Sequence, residues 1–358
     1  MTKYRYGIIG TGREMGTPGC TGFAMAHAHL PGFVNTKRAE LVAICEIDKE
    51  SADIFLARNK EKAVLAADAK VAIYKSYKEL LSKEKLDIVS ICLWPHLHAE
   101  VAIAACEAGV PAVHCEKPMA LTWGDAKRMK AAADANGVKL TFNHQRRHLP
   151  CFQLARKMLF EGAIGEVERF DAECGDLFDW GTHWFNMMCY LNGDVPAKWV
   201  LGQIDVREDK RIFGALVEGQ AAVHWRWVND VAGSMITGYE MKLGCAIRVW
   251  GSEGMIEIPW STDAVRIRVA GDADWRVIEA KAEKNDVAMA CEDVVQTLEE
   301  PGRKSILSVD SAILSTELIF AAFHSSRWRG RVELPLQPED SGLLDLIARR
   351  EIGWDRRD

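Results

Sequence analysis

From Tyr4 to about Asn143 the chain alternates short, apolar, β-rich runs with segments of helical periodicity. The runs predict strands from Tyr6 to Gly10, Leu41 to Cys45, Val71 to Tyr74, Ile88 to Cys92, Ala112 to Cys115 and Lys139 to Asn143. Between them, a helix from Ala99 to Ala108 ends on Gly109, and another capped by Thr122 runs to Asn136 and Gly137. Such alternation predicts a parallel sheet with crossover helices on its faces.

After Pro150 the pattern changes. One helix from Cys151 to Glu161 stops at Gly162, a long stretch of alternating strands with Gly and Asp turns follows, and two helices come near the end. Segregated helices and strands predict an α+β domain on a large, mostly antiparallel sheet. The expected division is residues 1–148 for an α/β domain of the Rossmann type and 149–358 for an α+β domain. From Glu339 the charged tail reads as a surface helix or an arm onto a partner subunit.

With 358 residues and 48% apolar composition, both domains can fill a core. The 45 basic and 51 acidic residues leave a net charge of -6, with no dense Lys/Arg block, so a nucleic acid is not an expected partner. No apolar run reaches the roughly 20 residues of a membrane span. The start, Met1 to Tyr6, lacks the basic-then-apolar order of a signal peptide, and the ten cysteines are scattered without a CxxC pair. A cytoplasmic protein with reduced thiols, most of them small core residues, is expected.

Gly10, Thr11 and Gly12 follow the first strand, where glycines let the backbone turn tightly beside a pyrophosphate at a helix N-terminus. The third glycine of that fingerprint is irregular: Gly16, Gly19 and Gly22 compete for it. Glu46, after the second strand, can accept both ribose hydroxyls and repel a 2′-phosphate, which favours NAD over NADP. Asp48 competes for that role, and Arg13 and Lys49 can complement a 2′-phosphate. No metal site is expected.

The stretch Ile91 to Pro118, ICLWPHLHAEVAIAACEAGVPAVHCEKP, resembles the Gfo/Idh/MocA oxidoreductases, which join a Rossmann domain to a sugar-binding α+β domain. Its turn Leu93-Trp94-Pro95 leads to His98, and Glu116-Lys117-Pro118 closes the next strand. The resemblance places Leu93, Trp94, His98, Glu116 and Lys117 at the cofactor, with Lys117 also on the reacting hydroxyl. Trp94 departs from the small residue usual in the family, and either walls the nicotinamide pocket or packs on the domain edge. The resemblance continues through Gln145-Arg146-Arg147 to Pro150, and from Ser308 to Leu336. Arg147 anchors cofactor or substrate, or else makes an interdomain salt bridge.

Gly175 to Gly193 reads GDLFDWGTHWFNMMCYLNG. Asp179 and His183 are four residues apart, so on a helix they share one face. Oxidising a secondary alcohol needs a base for the hydroxyl proton while hydride leaves carbon, and imidazole titrates closest to neutrality. His183 is therefore the expected base, Lys117 the group stabilising alkoxide-like charge, and Asp179 the residue orienting the sugar or the lysine. The alternative is a helix cap for Asp179 and a core histidine for His183. Asn186 stands where the family commonly has an acid.

Twelve tryptophans are many for this length. Aromatic faces stack on sugars, so Trp180 and Trp184 line the pocket or pack, while Trp225 and Trp227 share a strand face and belong to the core or a subunit interface. The resulting expectation is an NAD(P)-dependent dehydrogenase of a sugar or cyclitol, a homodimer or homotetramer through its C-terminal sheet. Two alternatives on the same fold are a redox-assisted glycoside-cleaving enzyme and a non-catalytic ligand sensor.

Overall fold

The structure is a computed structural model that describes residues 3–238, 242–282 and 285–353. It divides into two compact units. Met1–Ala120, Asp125–Gln145 and Lys284–Asp310 form the first, and Leu121–Gly124, Arg146–Glu283 and Ser311–Asp358 the second. The main crossover lies a few residues before the expected division, and the return of a late segment to the first unit is not anticipated by it.

In the first unit β1 (Tyr4–Ile9), β2 (Ala39–Cys45), β3 (Ala72–Tyr74), β4 (Ile88–Ile91), β5 (Ala112–Cys115) and β6 (Lys139–Phe142) make one sheet in the order β3-β2-β1-β4-β5-β6. Every neighbour is parallel. The helices α1 (Ala26–Val34), α2 (Lys49–Glu61), α3 (Tyr77–Lys83), α4 (Pro95–Glu107) and α5 (Trp123–Asn136) alternate with the strands along the chain. All four residues of β4 and of β5 are buried, as a parallel sheet covered on both faces requires. The strand order reverses between β1 and β4, which makes the crevice at their carboxyl ends the place where such sheets bind ligands.

The returning segment carries α8 (Asp286–Glu299), whose Val287, Cys291, Val294 and Val295 join Leu30 and Phe33 of α1 in the same core. A Cβ on Gly32 would stand 2.7 Å from the Cys291 sulfur, so the glycine sets how closely these two helices approach.

The second unit is built on nine strands in the order β16-β15-β14-β13-β7-β12-β11-β8-β17. They are β7 (Val167–Cys174), β8 (Ala197–Asp205), β11 (Gln220–Trp227), β12 (Ala232–Thr237), β13 (Ile247–Gly251), β14 (Gly254–Ile258), β15 (Ala264–Val269), β16 (Arg276–Glu279) and β17 (Val332–Glu333). Only β7 and β12 pair in parallel among them. A small hairpin, β9 (Arg211–Ile212) with β10 (Ala215–Leu216), stands apart. The helices are α6 (Pro150–Phe160), α7 (Gly181–Leu191), most of α9 (Val309–Trp328), and α10 (Gly342–Ala348), which lies in the tail that starts at Glu339 and buries Leu343 and Leu346.

All eleven residues of α7 are buried. Trp225 and Trp227 are both fully buried and meet edge to face at 5.2 Å, with Phe185 of α7 5.2 Å from Trp225. Of the two expectations for this strand pair, the core is the one the structure shows. No helix among the described residues is long and apolar enough to cross a membrane.

Candidate functional site

In the first unit the expected cofactor residues gather at the carboxyl ends of β1, β2, β4 and β5. Gly10 has φ +84°, and a Cβ there would lie 2.6 Å from the Leu93 side chain and 2.8 Å from the Cys92 carbonyl oxygen. Only glycine permits that turn. One oxygen of the Glu46 carboxylate accepts from the backbone N–H of Thr11 at 2.9 Å, the Thr11 hydroxyl at 3.0 Å and the N–H of Gly12 at 3.1 Å. The acid is thus aimed back over the glycine turn from the end of β2.

None of Gly16, Gly19 and Gly22 lies in the first helix, which starts at Ala26. The turn is lengthened, and the helix-packing role of a third glycine falls to small alanines: Ala26 is fully buried, and Ala24 is 3.6 Å from a Cβ placed on Gly12. Arg13, a competitor for a 2′-phosphate, donates to Asp48, Glu50 and Ser51. Asp48 itself caps α2 through the N–H groups of Glu50 and Ser51. Lys49 pairs with Asp53.

Trp94 is the N-cap residue of α4 with Pro95 in the first turn, and its ring is exposed. His98 is fully buried, and its two ring nitrogens lie 2.8 Å from the Pro118 carbonyl and 2.9 Å from that of Leu93. Its side chain braces the two strand-end loops, those of Leu93 and Pro118. The Lys117-Pro118 peptide is cis.

Glu116 is likewise turned inward. Its carboxylate meets His29 Nε2 at 2.8 Å, accepts from Asn143 Nδ2 at 2.7 Å and receives the Lys117 N–H at 3.3 Å. Burial works to raise this carboxyl, but the hydrogen bond and charge of His29, with the Asn143 amide and the Lys117 charge, outweigh it and bring it down to about 2. His29 continues to Ser90, which accepts from the Tyr6 hydroxyl at 2.8 Å. This buried chain behind Lys117 was missed in the sequence; its one visible signal is the histidine in HAHLPGF just after the glycine turn.

In the second unit Asp179 and His183 are both buried, at 4% and 5% exposure. Asp179 lies two residues before α7, in the turn rather than on the helix, and the N-cap residue is Trp180. The capping carboxylate is that of Asp176, which accepts from the Asp179 N–H at 2.5 Å and the Trp180 N–H at 3.4 Å. A Cβ on Gly181 would meet the Asp176 carbonyl at 2.7 Å, so the Gly between Trp180 and Thr182 is required by close approach. The N–H of Leu177 donates at 2.5 Å to Glu218, which reaches in from the segment before β11.

Trp184 is buried against Trp260 at 5.7 Å, whereas Trp180 is 42% exposed; the Arg146 guanidinium stands over both rings. Arg147 is fully buried. It donates to the Asn186 side-chain oxygen at 2.6 Å and makes a two-pronged pair with Asp194 at 2.7 and 2.8 Å. These bonds tie Arg147 to α7 and to the turn that follows it within the second unit. Asn186 also donates to Ser311 and Ser315. Its amide thus ties α7 to α9 and to Arg147. Among the described residues no group of three or more His, Cys, Asp or Glu could hold a metal ion.

Residues 4–144 match the Gfo/Idh/MocA profile, an oxidoreductase family with an NAD-binding Rossmann fold. Over these residues, about two fifths of its length, the chain resembles that family's NAD-binding domain. Among curated Gfo/Idh/MocA relatives, D-apiose dehydrogenase of Paraburkholderia graminis is 31% identical over 195 residues, 49% of each chain. Levoglucosan dehydrogenase of Pseudarthrobacter phenanthrenivorans is 34% identical over 150 residues, 41% of this chain and 33% of that one. The match therefore spans about half or less of these relatives. The fold extends further: a levoglucosan dehydrogenase solved with NADH and L-sorbose superposes with a TM-score of 0.78 at 21% identity, covering 94% of this chain and all of the other.

The cradle fits the NAD that this family binds. The glycine turn after β1, at the strand-order reversal, and a carboxylate at the end of β2 are what a dinucleotide site on such a sheet is made of.

Proposed function

We propose that this protein is an NAD-dependent oxidoreductase acting on a secondary alcohol of a sugar, sugar derivative or cyclitol. The observation that carries the reading is the strand-end Lys117, half-buried beside the glycine cradle, with its preceding residue Glu116 locked by His29 and Asn143. A lysine so fixed at the carboxyl edge of a parallel sheet is suited to a ligand oxygen. Named relatives act on apiose, levoglucosan and inositol, which supports a polyol as substrate.

Bound nicotinamide supplies the acceptor for hydride from the carbinol carbon. In the proposed chemistry His183 takes the hydroxyl proton as that hydride leaves, so the carbonyl forms without a free alkoxide. Lys117 donates to the same oxygen and stabilises its developing charge. Asp179 accepts from a neighbouring hydroxyl and fixes which carbon reacts. The exposed Trp180 offers a face for the ring's CH groups. Glu46, together with the engagement of Arg13 by Asp48 and Glu50, favours NAD over NADP.

A screen of monosaccharides, cyclitols and glycosides for NADH fluorescence tests this, with Lys117→Ala and His183→Ala in parallel. Both variants are expected to lose at least about 100-fold in kcat. If either keeps near wild-type turnover on an accepted sugar, its assigned role is wrong.

A further inference from the structure

Two buried carboxyl groups lie behind the 175–180 turn, and the chemistry above uses neither. Asp176 is 1% exposed and Glu218 is fully buried. Each gives one oxygen to the turn: Asp176 Oδ1 takes the N–H groups of Asp179 and Trp180, and Glu218 Oε1 takes the N–H of Leu177 and the Thr237 hydroxyl, the latter at 3.2 Å. The other oxygen of each, Asp176 Oδ2 and Glu218 Oε2, is shielded from solvent with no hydrogen-bond partner among the described residues.

Two carboxylates in that state would be two acceptors facing no donor, at a cost that buried polar groups almost never bear. A single proton removes the problem, because a protonated carboxyl donates and a carboxylate accepts. The surroundings bear this out. Burial and then the charge of Asp176 push the Glu218 carboxyl up to about 8. Asp176 is raised too, by burial and the Asp179 charge, against the pull of its N–H donors and of Lys210. We propose that Asp176 and Glu218 share one proton at neutral pH, Glu218 Oε2–H donating to Asp176 Oδ2, and that this bond pins the turn carrying Asp179 and Trp180.

The pair is a positioning element, since it reaches the proposed chemistry only through the turn. That last link rests on the function proposed above; the shared proton and the pinning do not. The other ionisable groups around the pair are few. Asp179 and Lys210 face Asp176, with Lys210 donating to the Gly175 carbonyl; Cys174, at the end of β7, faces both acids; and Thr237 of β12 closes the side toward the sheet. Raising the pH above about 8 removes the proton, places two like charges in a buried space and releases the turn.

The experiment uses the full chain, wild type and Glu218→Gln. Infrared difference spectra taken from pH ~6 to ~10 should show loss of a protonated-carboxyl C=O band with a midpoint near 8, and the variant should lack it. Hydrogen exchange of peptides covering residues 175–183, corrected for intrinsic rates, should accelerate about ten-fold or more across that midpoint in wild type only, because the glutamine amide donates at every pH. On an accepted sugar, wild-type kcat should fall through the same midpoint with KM steady, and Glu218→Gln should lack the fall.

Absence of the band overturns the shared proton. A band without the change in exchange overturns the pinning, and an identical alkaline fall in both proteins overturns the positioning role. Absence of turnover on every sugar would sink the proposed function while leaving the infrared and exchange results to decide the pair. Should Glu218→Gln fail to fold, Asp176→Asn replaces it: its amide donates to Glu218, and the band should again be lost.

Discussion

One carboxylate oxygen of Glu46 holds Thr11 twice, through its backbone N–H at 2.9 Å and its hydroxyl at 3.0 Å. The acid is thereby fixed over the glycine turn, and its other oxygen accepts from the Asp48 N–H at 3.2 Å; the proposed role is to accept from an adenosine ribose. Glu46→Ala removes charge-assisted bonds worth about 1.5 to 3 kcal/mol each to a bound diol, so NAD affinity should fall roughly ten- to hundred-fold. NADP should lose less, since the repulsion of a 2′-phosphate disappears with the acid. Fluorescence titration of both nucleotides reads the difference, and equal losses for the two would remove Glu46 from the ribose.

A second prediction concerns acid stability. Glu116 is brought down to about 2, below its ordinary value of 4.5, chiefly by His29 working against burial. A carboxyl depressed by folding stabilises the native state above its unfolded value, and that contribution is lost as the pH drops through the folded one. Glu116→Gln should therefore melt well below wild type at pH ~7, by a free energy on the order of a few kcal/mol. The gap should narrow between pH ~4.5 and ~2. Denaturant midpoints at several pH values test it, and a gap that stays constant with pH would show that the residue matters only as packing.

The two tryptophans beside Arg146 should separate cleanly. Trp184 is 1% exposed, so Trp184→Ala opens a cavity and should cost about 3 to 5 kcal/mol of stability. Trp180→Ala should cost under about 1 kcal/mol and instead raise KM for the sugar several-fold with NAD affinity unaltered. Melting curves and initial rates on the same preparations distinguish the two. A Trp180 variant with wild-type KM would take that ring out of the sugar site.

Much of the first unit was legible because its strands are buried on both faces and read as continuous apolar runs. The observed β2 (Ala39–Cys45) and β5 (Ala112–Cys115) end on the expected residues, and the glycine turn, Glu46 and the Lys117 triplet all fall at strand ends. What was not legible depends on long-range burial. Glu218 sits in ALVEGQ, which reads as a solvated turn, and nothing local reveals that it reaches Leu177, 41 residues away. Asp179 and His183 stand out by spacing, whereas Asp176, whose carboxylate takes the N–H groups of Asp179 and Trp180, looks like any loop acid. Arg147 and Asn186 carried the resemblance without carrying their use: each satisfies the other inside the second unit, and Asp194 provides the countercharge.

The place of α8 in the first unit sets the order in which the molecule can be made. Leu30 and Phe33 emerge early in synthesis, yet the Cys291, Val294 and Val295 that cover them lie more than 250 residues further along. During translation that apolar face of α1 must wait, exposed, until more than 250 further residues have been made. The nucleotide-binding unit, although it comes first in the sequence, is completed late, and a nascent chain stopped at the main crossover would display a surface that chaperones recognise.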